Sequence, residues 1–297
     1  MQKFIEHFIL EKRLENLSQL TINSYQTDLR IFYNFYSQNK LDISNGINEY
    51  LKYLEETTDY LSSTKSRKLV TIKLFHRYLV QNQLIDKGNV FPIKIRKEKR
   101  LPKTLPLKEL QKLVEVVEII PNSPVKIRDQ IRNCAIMTLL ISLGLRICEI
   151  KNLNLQDYQP KDGRITIFGK NKKERILFIT NSQDKLILKN YLKTRKQYNP
   201  QNKEHALFLN KYGKRFSIYG IENIYFKYRD MANIAKNSTP HHLRHTFATE
   251  LLNNGASIRD IQELLGHSSI TTTEIYVEVS SKRKRRVLSK FGIQKHK

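Results

Sequence analysis

Apolar residues recur at helical spacing through most of the first ninety positions of this 297-residue chain. Leu20, Ile22, Tyr25, Leu29, Phe32 and Phe35 predict a helix over 19–38, with Ser18 placed to cap it. Ile47, Tyr50, Leu51 and Leu54 predict a second over 46–56. Leu69, Ile72, Phe75 and Leu79 predict a third that starts near Ser63. Its polar face carries Lys65, Arg67, Lys68, Lys73 and Arg77. Such a face is either solvated or a contact for DNA.

The pattern breaks at 94–103, where six of ten residues are Lys or Arg, one is Pro and few are apolar, the composition of a linker. Helical spacing resumes over 107–119 and 126–143, with Gly144 as a left-handed stop. Two short β-prone runs follow, Arg164 to Phe168 and Arg175 to Ile179, separated by Gly169-Lys-Asn-Lys-Lys-Glu174. They predict an antiparallel hairpin with a basic tip that includes Lys170, Lys172 and Lys173. Further helices are expected over 183–197, 217–235, 240–254 and 258–265. The expected fold is therefore mainly α, in two domains. A helical unit spans 1–93, a basic linker 94–105, and an α-rich domain with a small antiparallel β-sheet 106–297.

Charge adds a partner to this picture. Lys and Arg number 53 against 28 Asp and Glu, a formal net charge of +25. A field of that size attracts polyanions, and nucleic acid gains most by releasing condensed counterions. Charge alone separates neither DNA from RNA nor an enzyme from a packaging protein. No apolar run is long enough to span a bilayer, and the N-terminus lacks the features of a signal peptide, so a cytoplasmic protein is expected with no membrane partner. The two cysteines, Cys134 and Cys148, fit a reducing compartment and belong to no metal-ligand pattern.

Four stretches carry candidate chemistry. Thr239-Pro-His-His-Leu-Arg244 predicts a helix starting at Pro240, with His241 and Arg244 on one face of its first turns. A helix start offers free N–H groups and a positive dipole, suited to a phosphate. Gly266-His267 is followed nine residues later by Tyr276. In Gly144-Leu-Arg-Ile-Cys-Glu149, Arg146 falls at a helix start, with Glu149 placed to brace its guanidinium. Lys170 lies on the hairpin. Each stretch alone is a weak signal.

Together, in order and at these intervals, GLRICEI, the Gly-Lys hairpin, HHLRHTFAT, LLGHSS and TTTEIY resemble the catalytic domain of tyrosine recombinases of the Xer and phage-integrase type. The resemblance covers roughly 105–280, and the helical first half looks like that family's SAM-like core-binding domain. It implies that Arg146 and Arg244 clamp the scissile phosphate, that Lys170 protonates the leaving 5′ oxygen, and that His241 accepts or positions the tyrosine proton. It further implies that His267 donates a hydrogen bond to the phosphate and that Tyr276 attacks it. The basic positions Lys65, Arg67, Lys68, Lys73, Arg77, Lys172 and Lys173 would meet the duplex. The implied partners are double-stranded DNA with a specific core site and a homo-tetramer, or a hetero-tetramer with a paralogue. The tail beyond Tyr276, with Val287, Leu288 and Phe291, is expected to dock on a neighbouring protomer. No carboxylate cluster for Mg²⁺ and no phosphate-binding ATP loop is present in the sequence, so no cofactor or metal is expected. The alternative reading is a non-catalytic regulator in which residues from Ala256 onward form a helix-turn-helix.

Overall fold

The computed structural model describes residues 1–39, 42–56, 60–86, 103–169, 174–201 and 204–266. The chain separates into two compact units, Met1–Lys99 and Arg100–Lys297. No helix among the described residues is long and apolar enough to cross a membrane.

The first unit contains α1 (Gln2–Leu14), α2 (Gln19–Asn39), α3 (Ile43–Glu56) and α4 (Ser62–Gln81). Helical periodicity brings Ile22, Leu29 and Phe32 of α2, Ile47, Tyr50 and Leu54 of α3, and Ile72, Phe75 and Leu79 of α4 into one core with Phe8 of α1. Aromatic edges interlock there: Phe8 meets Phe75 at 5.5 Å and Phe32 meets Tyr50 at 5.2 Å between ring centroids. Leu20 departs from the expected stripe and is 77% exposed. It lies two residues before Ile22, and two steps of an α-helix turn about 200° around the axis, onto the opposite face.

Lys68 also departs from expectation. It leaves the polar face of α4 and is 2% exposed, beside Asp28 of α2, itself 1% exposed. Lys68 Nζ lies 3.4 Å from Asp28 Oδ1 and 4.8 Å from the centroid of the Tyr60 ring. Arg67 and Thr71 donate to Asp28 Oδ2. An ammonium buried this deeply needs its carboxylate, so its energy is tied to joining α2 and α4. Asp28→Ala is expected to destabilise the first unit by about 3–5 kcal/mol, since it leaves a buried charge unpaired. Urea denaturation checks this, and a loss below about 1 kcal/mol would show that Lys68 finds water instead.

The second unit is built around α6 (Pro124–Ser142), which starts with Pro at its first turn after Ser123. Ala135, Ile136, Met137, Leu139 and Leu140 of α6 are buried on all sides, against α5 (Leu107–Val117), α8 (Ser182–Thr194), α9 (Ile218–Met231) and α10 (Pro240–Asn253). A short α7 (Ile147–Asn152) leads to an antiparallel sheet in the order β1-β2-β3, formed by Tyr158–Gln159, Arg164–Phe168 and Glu174–Phe178. β1 was not legible in the sequence, because two residues carry no period. The alternation of β2 and β3 buries Ile165, Ile167 and Leu177, while Phe168, Ile176 and Phe178 face outward. The register pairs Ile167 with Arg175, so Arg175 stands on the inward face. Finally α11 (Ile258–Leu265) is seated on α10 by a separate apolar cluster of Ala248, Leu252, Ile261 and Leu265.

Candidate active site

Arg146 is placed by a turn and a helix start. α6 stops at Leu143, and Gly144 reverses the chain at φ +58°. A Cβ on Gly144 would lie 2.5 Å from the Phe247 ring, so both conformation and space require glycine. Two residues on, Arg146 caps α7. Its backbone N–H donates to Glu149 Oε2 at 2.8 Å, and its Nη1 donates to Glu149 Oε1 at 2.8 Å. Glu149 therefore both caps the helix and braces the guanidinium.

Arg244 reaches the same place from α10. It is 4% exposed. Nη1 donates to the Gly144 carbonyl at 2.7 Å and Nη2 to the Leu265 carbonyl at 2.6 Å, with Nη1 3.9 Å from Glu149 Oε2. Arg146 Nη1 lies 3.4 Å from the same Leu265 carbonyl. The two expected clamp arginines thus share a carboxylate and a helix-end carbonyl. The last carbonyls of α11 are the negative end of its dipole, which favours cations there. Gly266 closes α11 at φ +63°, and His267 follows it in the sequence.

Sequence reasoning missed Arg175. Its Nη1 and Nη2 each donate at 2.9 Å to the two oxygens of Glu149, and its Nε donates to the Leu264 carbonyl at 2.8 Å. The signal that would have found it is parity: Arg175 has the strand phase of Leu177 and Ile179, both buried. Burial pushes the Glu149 carboxyl up, but the hydrogen bonds and charge of Arg175, with the Arg146 N–H and the Arg244 charge, outweigh it and hold Glu149 below the usual carboxylate range. Three guanidinium groups facing one ionised carboxylate make a strongly cationic pocket.

His241 sits on the first turn of α10, three residues before Arg244, with an exposed surface. Crowding of its ring by the protein, then the positive charges of Arg244 and Arg146, lower its pKa. His242 turns back as a helix cap, its Nδ1 accepting the Thr239 N–H at 2.9 Å. His245 is half-buried, and burial with the neighbouring positive groups pushes it down to about 4. On the first unit, Arg67, Lys73 and Arg77 are exposed on α4, while Lys65 donates to the Glu55 carbonyl at 3.2 Å. The expected site residues Lys170, Lys172, Lys173, His267 and Tyr276, and the tail beyond, lie outside the described residues. No group of three or more His, Cys, Asp or Glu among the described residues is arranged to hold a metal ion.

Comparison with known proteins addresses both units. The model of the phage integrase family matches residues 103–283, and that of the phage integrase N-terminal SAM-like domain matches residues 1–83. A tyrosine recombinase XerC from Leptospira interrogans is 35% identical over 97% of this chain and 91% of its own length. A tyrosine recombinase XerD from Staphylococcus epidermidis is 35% identical over 98% of this chain and 99% of its own. Among solved structures, XerH recombinase bound to a palindromic difH substrate in a post-cleavage complex superposes with a TM-score of 0.75 at 24% identity, covering 94% of this chain and 82% of that one.

Proposed function

The chain belongs to the phage integrase family of tyrosine recombinases, enzymes of site-specific DNA strand exchange, and from that premise we propose how its own residues perform the reaction. The observation that carries the proposal is the convergence of Arg146 and Arg244 on Glu149 and the Leu265 carbonyl, beside His241. A phosphodiester carries one negative charge and its pentacoordinate transition state more. Two fixed guanidinium groups stabilise that added charge with no reorganisation.

In this reading the Tyr276 hydroxyl oxygen attacks phosphorus, and a 3′-phosphotyrosyl bond forms as the bond to the 5′ oxygen breaks. The hydroxyl proton passes to His241. Lys170 supplies a proton to the departing 5′ oxygen, and His267 donates a hydrogen bond to a nonbridging oxygen. Attack by a 5′-hydroxyl from the partner duplex reverses each transfer and frees the tyrosine. Bond energy is conserved in the phosphotyrosine, so the cycle needs no nucleotide. Exchange between two duplexes requires four strand cuts. With one nucleophile per protomer, that calls for four protomers acting around a Holliday junction, either four copies of this chain or copies paired with a paralogue. The exposed basic face of α4, with Arg67, Lys73 and Arg77, and the hairpin lysines Lys172 and Lys173 supply phosphate contacts. The cytoplasm is where such DNA is met. A helix-turn-helix regulator would use neither Arg146 nor His241.

The test starts from sheared DNA of the organism that encodes the chain. Adducts that resist detergent are trapped and sequenced to define the site. A nicked duplex of that sequence, which loses its 5′ fragment after cleavage, then accumulates adduct for peptide mapping. The label is expected on the peptide containing Tyr276; a label elsewhere, or no adduct, overturns the proposal.

The lowered pKa of His241 has a kinetic consequence. A proton acceptor works in its neutral form, which exists above the pKa. Lowering the pKa extends that form to more acid pH, so cleavage is expected to hold through the ordinary histidine value of about 6.5 and decline only below it. His241→Ala is expected to be slow and to lose that acid limb. A wild-type rate already halved above about 6.5 would count against His241 as the acceptor.

A further inference from the structure

We infer that Arg175 is a positioning residue of this active site: it holds Glu149 and the end of α11 so that Arg146 and Arg244 stay available to the phosphate. The inference rests on the reading of that pocket as the phosphate clamp. Arg175 is placed for this by its strand. Its inward phase and the pairing with Ile167 turn its side chain away from solvent, where its fork meets both oxygens of Glu149 at 2.9 Å and its Nε meets the Leu264 carbonyl at 2.8 Å. It acts through other residues, because its fork and its Nε are directed at the protein.

The reason for a third arginine lies in Glu149. A buried carboxylate is a competitor for the very guanidinium groups that must bind phosphate. It draws strongly on any nearby cation, since it has lost its water. Arg175 occupies both of its oxygens in the bidentate geometry, which is the strongest for this pair. What remains for the clamp residues is lighter: a single bond from Arg146 Nη1 and a 3.9 Å approach from Arg244. Among the described residues, nothing engages Arg146 Nε or Nη2. Without Arg175, Glu149 would turn to Arg146 and Arg244 and pull both toward the protein.

A second link runs through α11. Arg175 holds the Leu264 carbonyl, and Arg146 and Arg244 hold the next one, Leu265. The chain then reverses at Gly266, where a Cβ would lie 3.1 Å from Arg175 Cδ and 3.1 Å from its Nη1. The turn that leads in sequence to His267 is therefore built against the Arg175 side chain. Arg175 is also the second residue of β3, five residues after Lys170 in the sequence. One side chain ties the hairpin strand, the carboxylate and the helix end together. Lysine offers a point charge without a fork and cannot reproduce the arrangement.

The test compares Arg175→Ala and Arg175→Lys in the full chain, on the nicked duplex defined above. At saturating DNA, the first-order rate of adduct formation is expected to fall about 100-fold in both, the size expected when reacting groups are displaced by about an ångström. DNA affinity is expected to stay within about threefold, as for a side chain that touches no DNA. Because Arg175 acts through Arg146, adding Arg146→Ala to Arg175→Ala is expected to cost far less than Arg146→Ala costs alone. A merely structural role predicts independent, multiplying losses and an equal fall in binding. Arg175→Lys keeps a charge beside Glu149, so it decides the matter if the alanine variant fails to fold. Variant rates within about twofold of wild type, or multiplying losses, overturn the inference while wild-type adduct upholds the phosphate-clamp reading. Absence of adduct from the wild type overturns both.

Discussion

Tyr276→Phe is expected to bind its DNA site and never to become joined to it. The substitution removes one oxygen atom and leaves the ring, so any interaction that places the segment on DNA or on a neighbouring protomer survives. Site affinity should change by no more than about threefold, the scatter of a small surface substitution. The covalent route, as proposed, has no second nucleophile. A phenol of pKa about 10 is a poor nucleophile at neutral pH and works only where positive groups favour the phenolate. The Arg146, Arg244 and Arg175 cluster would supply that environment in the proposed mechanism, and none of the other tyrosines follows Gly266-His267 in sequence. Detergent-stable adduct on the nicked duplex, measured beside equilibrium binding, separates the two properties. Adduct from Tyr276→Phe at even a tenth of the wild-type yield would mean that a different side chain attacks. Loss of binding together with adduct would mean that Tyr276 holds the complex together and is not its nucleophile.

The sequence carried the helices of this protein well because their apolar faces are long. α2, α3 and α4 bury most of the residues that the 3.6-residue period selects, Leu20 being the clear exception, and α10 and α11 begin and end within a residue or so of their capping signals. Arg146 was legible as a helix-start residue beside a glycine turn, and Glu149 as its brace, because both relations are local. What the sequence hid is tertiary. Lys68 looks like one more base on a charged face, and only the approach of α2 reveals that Asp28 draws it inward. Arg175 looks like the polar edge of a strand. Its partners are 26 and 89 residues away, and no local pattern announces them. The two-residue β1 and the His242 cap escaped for a related reason, since a bridge of two residues and a side chain turned back on its own helix have no period to read.

Arg244 and Arg146 should both be indispensable for cleavage, yet their losses should look different outside the chemistry. In the proposed clamp each supplies a charge-assisted contact that strengthens as negative charge builds on the phosphoryl oxygens. Removing one preorganised donor of this kind costs about 10²–10³ in rate. Arg146 is partly open, with 31% of its side chain exposed, and its protein bonds go to Glu149 and to a shared carbonyl. Arg146→Ala should therefore lose cleavage by about that factor with a small change in melting temperature. Arg244 is also part of the fold, because it satisfies the Gly144 carbonyl in the turn after α6 and the Leu265 carbonyl that ends α11. Arg244→Ala leaves the buried Gly144 carbonyl without that donor, at about 1–3 kcal/mol, and leaves the Leu265 carbonyl with the 3.4 Å contact of Arg146. It should lose at least as much rate and a measurable part of the stability of the second unit. Arg244→Lys restores the charge without the fork, so it should recover stability partly and catalysis poorly. The measurements are adduct formation at saturating DNA and thermal unfolding of the free protein. Near-normal cleavage by either alanine variant would remove the phosphate clamp from the mechanism. An equal loss of stability in both would mean that Arg146 is as much a part of the fold as Arg244, against the difference in their burial.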